Sequence, residues 1–147
     1  MIVKEGPASH SPFKLESLLI RLQSHDNNIA GLGARFIHLI DAENELSEDQ
    51  DQILCSILEY GPNWSFGAVE GFKIFSLPRF GTISPWSSKA TDIAKVCGLD
   101  SVKRIERGIA FTIQLKDHNL EPKKEAIDLL YDRMTELVIS ELHQASE

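Results

Sequence analysis

Val102-Lys103-Arg104-Ile105-Glu106-Arg107-Gly108-Ile109-Ala110-Phe111-Thr112-Ile113-Gln114-Leu115 is the run on which the fold turns. Successive side chains of an extended backbone point to opposite faces. Ile105, Ile109, Phe111, Ile113 and Leu115 therefore share a face with Arg107, while Arg104, Glu106, Gly108, Ala110, Thr112 and Gln114 share the other. One side is apolar and the other mixed, so 102–115 is predicted to be a strand with its odd-numbered face on a core.

A second long strand is predicted over 29–41. Ala34, Phe36, His38 and Ile40 fall on one face, and Arg35, Ile37, Leu39 and Asp41 on the other, with apolar residues on both. Residues 1–5 and 72–77 read as shorter strands, stopped by Gly6-Pro7 and by Pro78. The helices are announced by their ends. Ser11-Pro12 and Ser84-Pro85 each set a hydroxyl before a proline at the first helical position. They open helices over 12–24 and from 85 to 97, the latter with Gly98 as its C-cap. Ser47-Glu48-Asp49-Gln50 is a capping box with acids where the helix dipole favours them, ahead of Ile53, Leu54, Ile57 and Leu58. Pro122 opens a closing helix with the stripe Ile127, Leu130, Met134, Leu137 and Val138.

The order strand–helix–strand–helix thus occurs twice, in about 1–61 and 72–143, joined by a connector at 63–68. Each half is too small to enclose a core of its own. The prediction is an α+β fold in one domain over 1–147, with two pseudo-repeated halves sharing a sheet and helices on one face.

The chain has 42% hydrophobic and 25% charged residues, ordinary globular usage that requires no metal or disulfide to hold a core. A net charge of −7 argues against general affinity for nucleic acid or an anionic membrane. The segment 79–107 runs the other way: Arg79, Lys89, Lys95, Lys103, Arg104 and Arg107 outnumber Asp92, Asp100 and Glu106. Such a segment suits a small anionic ligand, an acidic neighbouring domain, or an ordinary solvated face. Cys55 and Cys97 form no C-x-x-C pair and read as small apolar side chains in a reducing compartment. Gly6-Pro7 interrupts any leader-like apolar run, and no stretch approaches the roughly 20 apolar residues of a bilayer span, so a cytoplasmic location is expected.

Simple catalytic signatures are missing. His10, His25, His38, His118 and His143 lack metal-ligand spacing, and His38, on a strand face, reads as a core or interface group. There is no nucleophile elbow, zinc-binding H-E-x-x-H or Walker loop. Gly31-Leu32-Gly33 leads into a strand, and Phe36 stands where a dinucleotide fingerprint needs its third glycine. No catalytic or metal-binding residue is assigned.

Two segments are richer than a plain scaffold needs. Around the start of the third helix, Thr82, Ser84, Ser87 and Ser88 supply hydroxyls, Arg79 and Lys89 charge, and Trp86 a flat apolar surface with one donor. This is an anion-accepting helix start, a domain-docking surface, or an over-provided N-cap. On the long strand, Arg104 and Glu106 share a face and pair, whereas Arg107 points the other way among apolar neighbours. It calls for an acidic partner, with Asp92 a candidate, unless it merely braces the scaffold.

The run Gly81-Thr82-Ile83-Ser84-Pro85-Trp86-Ser87-Ser88-Lys89-Ala90-Thr91-Asp92-Ile93-Ala94, followed by Cys97-Gly98-Leu99 and Arg104-Ile105-Glu106-Arg107-Gly108, resembles the N-terminal domain of the large, single-chain phosphoribosylformylglycinamidine synthases. Weaker similarity includes Tyr60-Gly61-Pro62 and Asp132-Arg133-Met134-Thr135-Glu136. The resemblance implies a domain like a fused dimer of the separate PurS-type small subunit. It belongs to a glutamine amidotransferase and ligase that makes formylglycinamidine ribonucleotide in purine biosynthesis.

The same resemblance implies an assembly role. ATP, magnesium and the glutaminase nucleophile belong to other parts of such an enzyme, so no cofactor is expected here and the chain alone should be inactive. A linker, synthetase and glutaminase domain are expected outside these residues, as its partners. Arg79, Thr82, Ser84, Trp86, Ser87, Ser88, Lys89 and Asp92 would line an interdomain or substrate contact, backed by Arg104, Glu106 and Arg107. The other reading is a free-standing anion- or protein-binding module using the helix start at 82–89.

Overall fold

The computed structural model describes residues 2–60, 64, 67, 70–78, 85–117, 119–131 and 136–139. Among these residues five strands form one antiparallel sheet in the order β1-β2-β4-β3-β5, with β1 at Ile2–Ala8, β2 at Ile29–Ala42, β3 at Phe72–Pro78, β4 at Val102–Leu115 and β5 at Glu136–Ile139. The helices are α1 (Pro12–His25), α2 (Glu48–Ile57), α3 (Pro85–Val96) and a single turn, α4 (Lys124–Ile127).

The two predicted long strands pair with each other at the centre, each with 14 residues. At the usual rise this is a ribbon roughly 46 Å long. It is too long for one helix pair to cover, and its helix-facing side carries two cores. Leu32 and Ala34 of β2 with Phe111 and Ile113 of β4 pack with Leu15 and Leu22 of α1 and Ala126 of α4. Ile40 with Val102 and Ile105 packs with Leu54 of α2 and Ala90 and Ala94 of α3. The interval from Pro12 to Pro85 equals that from Ile29 to Val102, so α1 and β2 correspond in spacing to α3 and β4.

The ends of the helices are built as their sequences dictate. Ser11 Oγ accepts from the Lys14 N–H at 3.2 Å, and Ser47 and Gln50 make both bonds of the capping box. Gly98, at φ +88°, closes α3 with two bonds, its own N–H to the Lys95 carbonyl and the Leu99 N–H to that of Ala94. Asp26 is buried and fully used. Its carboxylate accepts from the N–H groups of Asn28 and, 2.8 Å away, Lys123, which ties the end of α1 to the entry of α4.

Two elements depart from their predictions. β1, expected to stop at Gly6-Pro7, runs through them to Ala8, with an irregularity in its pairing between Glu5 and Ala8 that accommodates the proline. Glu136–Ile139, read as the tail of a closing helix, is a strand paired with Phe75–Pro78 of β3. Met134 lies outside the described residues. Leu137 and Val138 fit a helical stripe, but the open edge of β3 provides hydrogen-bond partners that a helix tail cannot use, and pairing overrides a short periodicity.

Candidate functional site

Between the two cores, on the helix-covered face, the apolar surface of the central strands is interrupted. His38 on β2 stands directly opposite Arg107 on β4, and Phe36 opposite Ile109. Tyr60, just beyond α2, and Trp86, in the first turn of α3, close over them. The guanidinium carbon of Arg107 lies 4.2 Å from the Phe36 ring centre, 4.6 Å from that of Trp86 and 5.8 Å from that of Tyr60. His38 stacks on Trp86 at 5.4 Å and meets Tyr60 edge-on at 5.7 Å. A cation held over aromatic faces in this way gains about 0.5–2 kcal/mol, the larger figure where water is excluded.

A short relay of polar atoms runs through the cluster. His38 Nε2 is 2.8 Å from the Tyr60 hydroxyl, and Arg107 Nη1 donates to the same oxygen at 3.4 Å. A guanidinium can only donate, so the phenol oxygen accepts from Arg107 and its proton is left for Nε2 of a neutral imidazole. The imidazole proton then sits on Nδ1, which lies near the Lys4 carbonyl without reaching hydrogen-bond geometry. Burial is the main reason that His38 titrates at about 4; the Lys4 carbonyl opposes it and the charge of Arg107 adds to it. Burial also raises the Tyr60 hydroxyl, against the lowering effect of Arg107. Gly6 of β1 makes room for this arrangement, since a Cβ there would strike the His38 ring.

The pseudo-repeat shows how unusual the cluster is. The pair Ala34 and Phe111 lies as far to one side of Phe36 and Ile109 as His38 and Arg107 lie to the other. In the first case the position is plugged with buried apolar atoms. In the second a histidine, a tyrosine and an arginine take their place. Asp92, expected as a partner of Arg107, is exposed on the outer side of α3. Among the described residues no carboxylate forms an ion pair with Arg107, whose side-chain neighbours are aromatic rings.

The residues expected at the start of α3 divide by direction. Trp86 faces inward onto His38 and Arg107. Ser87 is buried, and its Oγ donates to the Ile105 carbonyl at 2.6 Å; Thr91 Oγ1 accepts from the Ile105 N–H at 3.1 Å. The pairing of β3 with β4 ends at Ser76 and Ile109, so these hydroxyls serve a stretch of β4 that β3 does not reach. Ser87 is thus a scaffold residue that cannot line an outside contact, a correction to the expectation. Ser88, Lys89 and Asp92 face outward and, with Pro85, Ile93, Val96 and Cys97, line an open groove of about 560 Å³. Arg104 and Glu106 pair at 2.6 Å on the opposite face of the sheet. Arg79, Thr82 and Ser84 lie outside the described residues. Both cysteines are exposed, not packed in a core.

The sequence assigns neither Phe36 nor Tyr60 to a site. The signal available was the pair of polar residues, His38 and Arg107, on the otherwise apolar faces of the two longest strands; the register that joins them is tertiary. Among the described residues no group of three or more His, Cys, Asp or Glu side chains is placed to hold a metal, and no helix is long and apolar enough to cross a membrane. Residues 35–147 match the family model for the N-terminal region of formylglycinamide ribonucleotide amidotransferase, a span containing His38, Tyr60, Trp86 and Arg107.

Proposed function

This chain belongs to the formylglycinamide ribonucleotide amidotransferase N-terminal family, and from that membership we propose that it is a non-catalytic assembly domain holding other portions of its enzyme together. It is the N-terminal domain of phosphoribosylformylglycinamidine synthase, of purine biosynthesis. In this reading its partners are the synthetase and glutaminase portions of the same protein. ATP, magnesium and the ligase chemistry reside there, the whole operates in the cytoplasm, and the domain alone turns over no substrate.

The observation that carries this reading is the polarity of α3. Its inward face is Ser87, Ala90, Thr91 and Ala94, small or hydroxylated, while Val96 is 87% and Ile93 42% exposed. A surface helix normally places its branched apolar residues on the core. Here they stand outside, beside Ser88, Lys89 and Asp92, in the pattern of a surface with an apolar centre and a polar rim.

The test is association with the remainder of the enzyme supplied as a separate polypeptide. Replacing Ile93 and Val96 with Asp should weaken association at least tenfold and lower restored amidotransferase activity in step, leaving the domain's own melting temperature unchanged. Undiminished association in a folded double variant would sink the assignment of this surface.

A further inference from the structure

We infer that Arg107 is the receptor of a carboxylate-binding slot between the two helix pairs, a site separate from the outer surface of α3 and independent of the assembly reading. Three observations converge on it. The guanidinium carbon lies 4.2 Å from the Phe36 ring centre and 4.6 Å from that of Trp86, so aromatic rings hold the group in place without supplying a counter-charge. Arg107 is only partly buried, and among the described residues a single side-chain hydrogen bond, the 3.4 Å contact with Tyr60, uses one of its five N–H groups. The equivalent position in the other half of the fold is closed with Ala34 and Phe111, so the scaffold does not need a cation here.

A planar guanidinium held against aromatic rings, with N–H groups beyond the one that meets Tyr60, selects a planar partner that can accept two parallel N–H bonds, and a carboxylate fits this requirement better than a point-like anion. The Tyr60 hydroxyl fixes one end of the fork. Its other neighbour, His38, is fully buried and neutral at ordinary pH, so it adds no second charge to the slot. The occupant is either a small free acid or an Asp or Glu side chain reaching in. The chemistry recognised is the same.

The test uses the 147-residue chain with Trp64→Phe, which leaves Trp86 as the sole tryptophan, titrated with acetate and with succinate at ionic strength held constant with sodium chloride. Both should give a saturable change in Trp86 emission, with a midpoint on the order of 1–10 mM, weakened at least tenfold by Arg107→Lys, which keeps the charge and removes the fork. Equal midpoints identify the single carboxylate that an acidic side chain presents; succinate tighter by tenfold or more identifies a small diacid. Inorganic phosphate binding as tightly as either acid overturns the planar selection. A flat titration, or one that Arg107→Lys leaves intact, overturns the site. The guanidinium ¹⁵N resonance of Arg107 in the unsubstituted chain should move with the same midpoint, so the question is answered even if the lysine variant does not fold.

Discussion

The hydroxyl of Ser87 and the carbonyl of Ile105 lie 2.6 Å apart, a helix side chain standing where the amide of a neighbouring strand would be expected. Thr91 completes the substitution by accepting from the N–H of the same residue. Removing a partner from a buried backbone group costs about 1–3 kcal/mol. Ser87→Ala should therefore lower unfolding stability by that amount in urea titrations. Ser88→Ala, on the exposed side of the same turn, should stay within about 0.5 kcal/mol. Equal effects at the two positions would contradict the orientation of α3.

His38 links stability to pH. Its titration at about 4, below the usual 6.5, means that the unfolded chain binds a proton in a range where the folded one does not. Stability should hold above pH 6.5, fall as the pH drops from 6.5 towards 4, and lose nothing further through this group below that. The loss amounts to about 3 kcal/mol at full extent. His10, also lowered by burial, acts in the same direction. In His38→Gln the decline in melting temperature across this window should be shallower; an unchanged pH profile would show that another group controls it.

The faces of β4 can be separated by charge. Ile109 looks towards the helices and packs on the first core, whereas Gln114 is exposed on the other side. Ile109→Asp sets a carboxylate against the apolar groups of the first core and should cost about 1–3 kcal/mol. Gln114→Asp should be nearly neutral, and parallel thermal melts of the two decide the matter.

Gly108 sits on that outer side beneath Leu77. A Cβ at this position would meet the Leu77 side chain and the backbone oxygen of Ser76. Gly108→Ala should therefore destabilise by about 1–3 kcal/mol through overpacking, measured by chemical denaturation. Tolerance of alanine would mean that β3 lies farther from β4 than described.

Much of this architecture is written locally. Ser11-Pro12, the Ser47 and Gln50 box and Gly98 act within a few residues of themselves, and alternation in 102–115 needs no knowledge of the partner strand. Elsewhere the deciding neighbour is remote. Glu136–Ile139 becomes a strand because β3 offers it an edge 60 residues back in the chain, as the bond from Ser76 Oγ to Glu136 shows. Ser87 looks like part of an outward hydroxyl cluster until the short reach of β3 is known. The pairing of Arg104 with Glu106 could be read from alternation alone, but the aromatic surroundings of Arg107 come from residues as distant as Phe36.

The unbroken central ribbon has a bearing on how the molecule comes apart. Both helix pairs lie on the same two strands, so shedding either one bares apolar side chains of a ladder that the other still requires. The halves are thereby denied independent melting, and heat should disassemble them together in a single cooperative step, with the calorimetric and van't Hoff enthalpies in agreement.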